Sequence, residues 1–170
     1  MTINISFNDD DWDRINRDWT AWWNHELPRP LVLIYDRVRP AGRRLPPLEP
    51  FLANYPLTMA ADDILDRVQA HLEATRYYGD AWPKWWINFG PGIVAGFIGA
   101  RVHAVPNTVW FEPAGRQDIT DVRPVYDENN VWWRRIREMT EAGARRFGRA
   151  VSLSHTDLGG NLDIVASLRG

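Results

Sequence analysis

The sequence predicts an α/β fold, and three neighbouring features carry that expectation. Leu31-Val32-Leu33-Ile34-Tyr35 is an unbroken apolar run of strand length, the pattern of a strand buried on both faces. Trp85-Trp86-Ile87-Asn88-Phe89 is a second such run, bounded by Pro83 and by Gly90-Pro91-Gly92, so it reads as a buried strand that stops at a turn. Ile93 to Ala100 then reads as a short helix with small residues along one side. Strand, glycine turn and helix in succession make a βα unit, and in such folds ligands sit where strands end and helices begin.

The remaining elements follow in order. Between Asp9 and Leu27, Trp12, Ile15, Trp19, Trp22 and Trp23 fall at helical spacing, with Asn8 or Asp9 as the cap and Pro28 and Pro30 as the stop. The first strand runs out into Asp36-Arg37-Val38-Arg39-Pro40-Ala41-Gly42-Arg43-Arg44, which places four arginines among nine residues. Forked guanidiniums at the end of a strand suit carboxylates or phosphates, and a solvated loop is the plain alternative. Leu45 to Pro56 is proline-rich and irregular. Thr58 is expected to cap a helix from Ala60 to Tyr78 that turns Ile64, Leu65, Val68 and Leu72 inward and leaves His71 outside.

Beyond the tryptophan-rich centre, Arg101 to Val105 and Thr108 to Phe111 read as strands joined by a Pro106-Asn107 turn. Asp127 is expected to cap a helix whose arginines, from Arg134 to Arg149, alternate with Glu138 and Glu141 as a solvated face. Ala150 to Ser154 is a third strand, followed by His155-Thr156-Asp157-Leu158-Gly159-Gly160 and a helix from Asn161 to Leu168. Three strand–loop–helix units are too few to close a barrel.

Composition narrows the classes. A chain of 170 residues with 45% hydrophobic content suits one domain with a real core. A net charge of −2 with mixed signs supplies no field for nucleic acid or a membrane surface. The absence of cysteine removes disulfides, thiolate metal sites and a cysteine nucleophile. The longest apolar-or-glycine run, Gly92 to Ala100, is far below the roughly 20 residues of a membrane span. The acidic N-terminus lacks the pattern of a secretory signal, so a cytoplasmic protein is expected. The ten tryptophans either pad the core or offer flat faces for stacking a sugar-like ligand.

Gly90-Pro91-Gly92 with Gly96 does not have the spacing of a G-x-G-x-x-G dinucleotide fingerprint, and no nucleophile elbow, Walker loop or His-Glu-x-x-His is present. His155 and Asp157 are the most reactive-looking pair. Two apart on a strand they would point the same way, to orient a proton transfer or hold a metal, whereas in a loop Asp157 would cap the following helix.

Against this background the sequence resembles a known family. Arg39-Pro40-Ala41-Gly42-Arg43-Arg44-Leu45-Pro46 is similar to the Arg-Gln-Ala-Gly-Arg-Tyr-Leu-Pro loop of uroporphyrinogen decarboxylases, and Phe97-Ile98-Gly99-Ala100-Arg101-Val102 to that family's Ala-Leu-Gly-x-x-Val helix end. Val151 to Gly170 resembles its third strand, glycine-rich loop and helix. The resemblance covers residues 28 to 170 and implies the N-terminal half of a TIM-type (β/α)8 barrel: residues 1–28 form an N-terminal helical extension and 29–170 the first βα units. It implies that Arg39 and Arg43 bind substrate carboxylates, and that the site lies around Asp36, Asn88, His155 and Asp157. The family's catalytic aspartate falls at Gly90, its third-helix tyrosine at Ala166, and its loop glutamine at Pro40. A methyltransferase-type or uncharacterised branch acting on a carboxylated or corrinoid-linked small molecule is therefore expected, with any corrinoid or zinc held outside this chain. On this reading the chain alone lacks a complete site and activity. Its open strand edges call for a missing C-terminal half or self-association. A carbohydrate-active barrel that stacks sugars on tryptophan, with Asp36 and Asp157 as the only carboxylate candidates at strand ends, and a non-enzymatic binding or assembly fragment are the competing readings.

Overall fold

The computed structural model describes residues 3–38, 44–116 and 118–169. Helices and small sheets mix in it, as the α/β expectation requires. The described residues form three two-stranded sheets that do not close into a barrel.

The centre is a parallel pair. β3 (Lys84–Trp86) runs beside β6 (Ser152–Ser154), with Trp85 opposite Leu153. Alternation along β3 buries Trp85 and turns Trp86 outward. Behind the pair lies α4 (Val131–Phe147), which buries Ile136, Met139, Ala142 and Phe147. Gly143 is the contact point: a Cβ there would stand 2.7 Å from Cζ3 of Trp85, so only glycine lets the helix backbone reach the indole. Asn130, three residues after the expected Asp127, caps α4 by accepting from the amides of Trp132 and Trp133 at 3.0 and 3.1 Å. Its Nδ2 donates to the Gly96 carbonyl at 3.0 Å and ties α4 to α3 (Ile93–Phe97).

α2 (Ala61–Glu73) packs alongside α4 through Ile64, Leu65, Val68 and Leu72. The arginines of α4 are not a uniformly solvated face. Arg146 bridges Asp62 at 2.8 Å and Asp66 at 2.6 Å on α2, and the buried Arg135 donates to the Met59 carbonyl at 2.7 Å. α2 also ends earlier than Tyr78. The chain turns at Ala74 into β2 (Thr75–Gly79), where a β-branched residue and two tyrosines favour the extended form.

β2 pairs antiparallel with β1 (Leu33–Arg37), placing Tyr35 opposite Tyr77. All five β1 residues are exposed, so the expected doubly buried first strand is not found. The apolar run lies exposed in a ribbon with one strand neighbour among the described residues, and hydropathy alone does not distinguish that position from a sheet centre. β4 (Arg101–Val105) and β5 (Thr108–Glu112) form the expected hairpin, and α5 (Asn161–Arg169) buries Leu168 near α3 and β5.

α1 (Asp9–Trp23) begins with a reciprocal capping box between Asn8 and Asp11 and ends at Asn24, short of the expected Leu27. It is fastened to the body at Asp80, a fully buried carboxylate between β2 and β3. Arg29 grips both oxygens at 2.7 and 2.8 Å, and the Val32 amide donates to Oδ2 at 2.7 Å. The Asp80 carbonyl accepts from Trp19 Nε1 at 3.1 Å, while Trp19 meets Trp82 edge to face at 4.9 Å.

Two outcomes follow. Alanine normally stabilises a helix interior relative to glycine, but Gly143→Ala must move the Trp85 ring, so a net loss of about 1–3 kcal/mol is expected in denaturant unfolding. Arg29 holds the Asp80 carboxyl below the usual carboxylate range. A depressed pKa contributes stability that is fully present above the ordinary carboxylate value and is lost as pH falls through the folded-state value. Arg29→Gln should therefore lower the melting temperature at neutral pH, with the gap from wild type narrowing below about pH 4. A gap independent of pH would assign the loss to packing alone.

Candidate functional site

Parallel strands deliver their following loops to the same edge, so the segments after β3 and β6 lie side by side. The ladder continues past both strands. The Ile87 amide donates to the Ser154 carbonyl at 3.2 Å and the Phe89 amide to Thr156 Oγ1 at 3.4 Å. Trp86 Nε1 donates to the His155 carbonyl at 3.1 Å, leaving half of its indole exposed beside the loop. Gly159, at φ 70°, closes the contact from the other side: a Cβ would fall 2.3 Å from the Pro91 carbonyl oxygen.

His155 and Asp157 stand beyond the end of β6, in a loop rather than on the strand. His155 is exposed, and its Nδ1 lies 2.6 Å from the Thr156 carbonyl. A carbonyl only accepts, so in the neutral ring Nδ1 carries the proton and Nε2 presents a lone pair. Thr156, rather than Asp157, thus orients the imidazole. Asp157 Oδ1 instead accepts from the Gly159 amide at 2.8 Å, bracing the turn two residues before α5 begins.

Asn88 is half-buried at the end of β3. Its Oδ1 accepts from the Gly90 amide at 3.0 Å and its backbone carbonyl from the Leu52 amide at 2.7 Å. Its Nδ2 has no hydrogen-bond partner among the described residues. Gly90 has φ 102°, and a Cβ there would lie 2.9 Å from Cβ of Val109; one on Gly92 would lie 2.4 Å from Cδ2 of Phe111. The Gly90-Pro91-Gly92 turn is therefore clamped beneath the β4–β5 hairpin.

The other expected site residues lie apart. Asp36 is exposed on β1, opposite Arg76 in the antiparallel ribbon and outside the parallel pair. Arg39 and Arg43 lie outside the described residues. Trp86 and the buried Thr156 join the site without having been singled out in the sequence. The outward alternation of Trp86 next to Trp85 was the available signal, whereas the role of Thr156 depends on strand register. Among the described residues, no three histidine, aspartate or glutamate side chains gather to hold a metal ion.

The strand ends therefore offer an imidazole with a free nitrogen, an amide donor, a carboxylate and an indole face. Such a set can orient a polar small molecule and take up or deliver a proton. Comparison of the chain with family models, curated proteins and solved structures finds no match.

Gly159→Ala tests whether the two loops must touch. Positive φ and the Pro91 contact both oppose the side chain, so a loss of about 1–3 kcal/mol is expected, with faster amide exchange in residues 88–92 and 155–160. Unchanged exchange in residues 88–92 would show that the loops are independent.

Proposed function

We propose that this chain carries the leading βα units of a barrel enzyme of the uroporphyrinogen-decarboxylase-like superfamily. Its place would be on a methyltransferase-type or uncharacterised branch that acts on a carboxylated or corrinoid-linked small molecule. The observation that supports this reading is the parallel β3–β6 pair with α2 and α4 packed beside it. The two strands are parallel neighbours, the two helices are neighbours on one side of them, and the loops after both strands meet. A parallel strand pair backed by helices is consistent with units of a barrel wall, and on this reading His155 and Asn88, just past the strand ends, would lie where barrel enzymes carry their chemistry.

On this reading Arg39 and Arg43 receive substrate carboxylates as forked donors, and His155 Nε2 exchanges a proton with the bound molecule. Gly90 stands where the resemblance would put a catalytic aspartate. Its φ of 102° and its contact with Val109 leave no room for that side chain, so the charge needed to stabilise a protonated pyrrole is missing. A resident zinc does not fit, because the chain has no cysteine and the described residues gather no group of three histidine, aspartate or glutamate side chains.

The test is titration of the protein with coproporphyrin, a tetracarboxylated macrocycle, followed by the change in porphyrin fluorescence. Saturable binding is expected, weakened about ten-fold by Arg39→Ala or Arg43→Ala at unchanged melting temperature, the loss of roughly one charged hydrogen bond each. Uroporphyrinogen should not be decarboxylated by the chain or by a longer protein containing it. Turnover, or porphyrin binding indifferent to both arginines, would overturn the reading.

A further inference from the structure

A cleft lies at the other end of β3, near its first residue. It encloses about 300 Å³ between the β1–β2 ribbon and α2, lined by Tyr35, Arg37, Leu48, His71, Lys84 and Trp85 among others. Its size is at the small end of the range for ligand pockets.

Three features of its chemistry are unusual together. The first is charge. Alternation along β1 puts Tyr35 and Arg37 on the cleft side and Asp36 on the other, so the nearest carboxylate in sequence is turned away. Among the described residues, neither Arg37 nor Lys84 forms an ion pair. The Lys84 ammonium rests instead over the rings of Tyr35, at 5.5 Å, and Trp82, at 5.0 Å.

The second is aromatic lining. Tyr35 and Tyr77 meet edge to face at 6.0 Å across the ribbon, and Trp85 adds its buried indole. Burial pushes the Tyr77 phenol up to about 12, and its hydroxyl is spent on the Leu72 carbonyl at 3.2 Å, so it remains a neutral wall.

The third is an unsatisfied acceptor. His71 Nε2 lies 2.8 Å from the Pro46 carbonyl, which can only accept. Nε2 therefore carries the proton in the neutral ring, and Nδ1 holds a lone pair. That Nδ1 is buried and has no hydrogen-bond partner. An orphaned buried acceptor is costly, and a ligand O–H would relieve it.

We propose that this cleft binds a small hydroxylated aromatic carboxylate. The carboxylate meets Arg37 and Lys84, the ring lies among the tyrosine and tryptophan side chains, and the hydroxyl donates to His71 Nδ1. The cleft stands apart from the strand ends that carry His155 and Asn88, so the inference does not depend on the function proposed for them.

Ligand-observed NMR and calorimetry with 6-hydroxy-2-naphthoate test the proposal. Saturable binding is expected with a dissociation constant below about 1 mM, weakened roughly ten-fold for 2-naphthoate, which lacks the hydroxyl, and for 6-hydroxy-2-naphthamide, which lacks the charge. The double variant Arg37→Gln/Lys84→Gln should bind acid and amide alike, and Leu48→Trp, which fills the cleft from a partly exposed position, should abolish binding at a wild-type melting temperature. Equal affinity of acid and amide for the wild type, insensitivity to Leu48→Trp in a folded variant, or no saturation by about 10 mM would each overturn it.

Discussion

Much of the architecture hangs on one buried carboxylate. Asp80 has both oxygens engaged by Arg29 and a third donor in the Val32 amide, while its own amide donates to the Val32 carbonyl at 2.7 Å. With Trp19 on its carbonyl, one residue gathers α1, the approach to β1, the end of β2 and the start of β3. A carboxylate without these partners would be very costly at this depth, so the segments must assemble around it together. Arg29 is itself partly exposed and shared with Asp18 at 3.0 Å, which keeps the desolvation cost of the pair moderate.

From that anchor the chain enters β3 in a set direction, and α4 determines what β3 does next. Trp85 is held against Gly143, which fixes the strand's alternation and so sends Trp86 to the outside and Ile87 and Phe89 into the core. The site at the strand ends inherits its geometry from this packing. Thr156 is tied to the facing loop by the Phe89 amide, which donates to its Oγ1, Asn88 is held by the Gly90 amide within its own turn, and Gly90 and Gly159 allow both loops to approach their neighbours.

The periodic helices were legible in the sequence, as were the β4–β5 hairpin and both central strands, because amphipathic spacing and turn residues are local signals. Pairing partners were not. The Leu31–Tyr35 run has the hydropathy of a sheet centre, yet its neighbour is β2, a strand hidden in what reads as the last turn of a helix. The polar role of Asp80 was likewise invisible, since its partners stand 48 to 61 residues away in the chain. At the site, His155 and Asp157 were recognisable by chemistry, but their division of labour was not. Whether the carboxylate faces the ring or the next turn is decided by the loop that follows β6. His71 is half-buried rather than exposed, with its Nδ1 covered, because the irregular segment after Arg44 lays the Pro46 carbonyl against the ring.

The parallel pairing of β3 with β6 also bears on how the molecule acquires its shape. Trp86 and the carbonyl it binds are 69 residues apart, and each strand contributes only three residues to the ladder. Closing so long a loop for so few hydrogen bonds is unfavourable until the helices between have formed and docked. The hairpin and the helices rest on local contacts, whereas the strand ends that bear His155 and Asn88 rest on the long-range ones that loop closure penalises most. Seating Gly143 on Trp85 sets the direction in which β3 meets β6, so the candidate site is the part of the fold whose closure carries the largest loop-entropy cost.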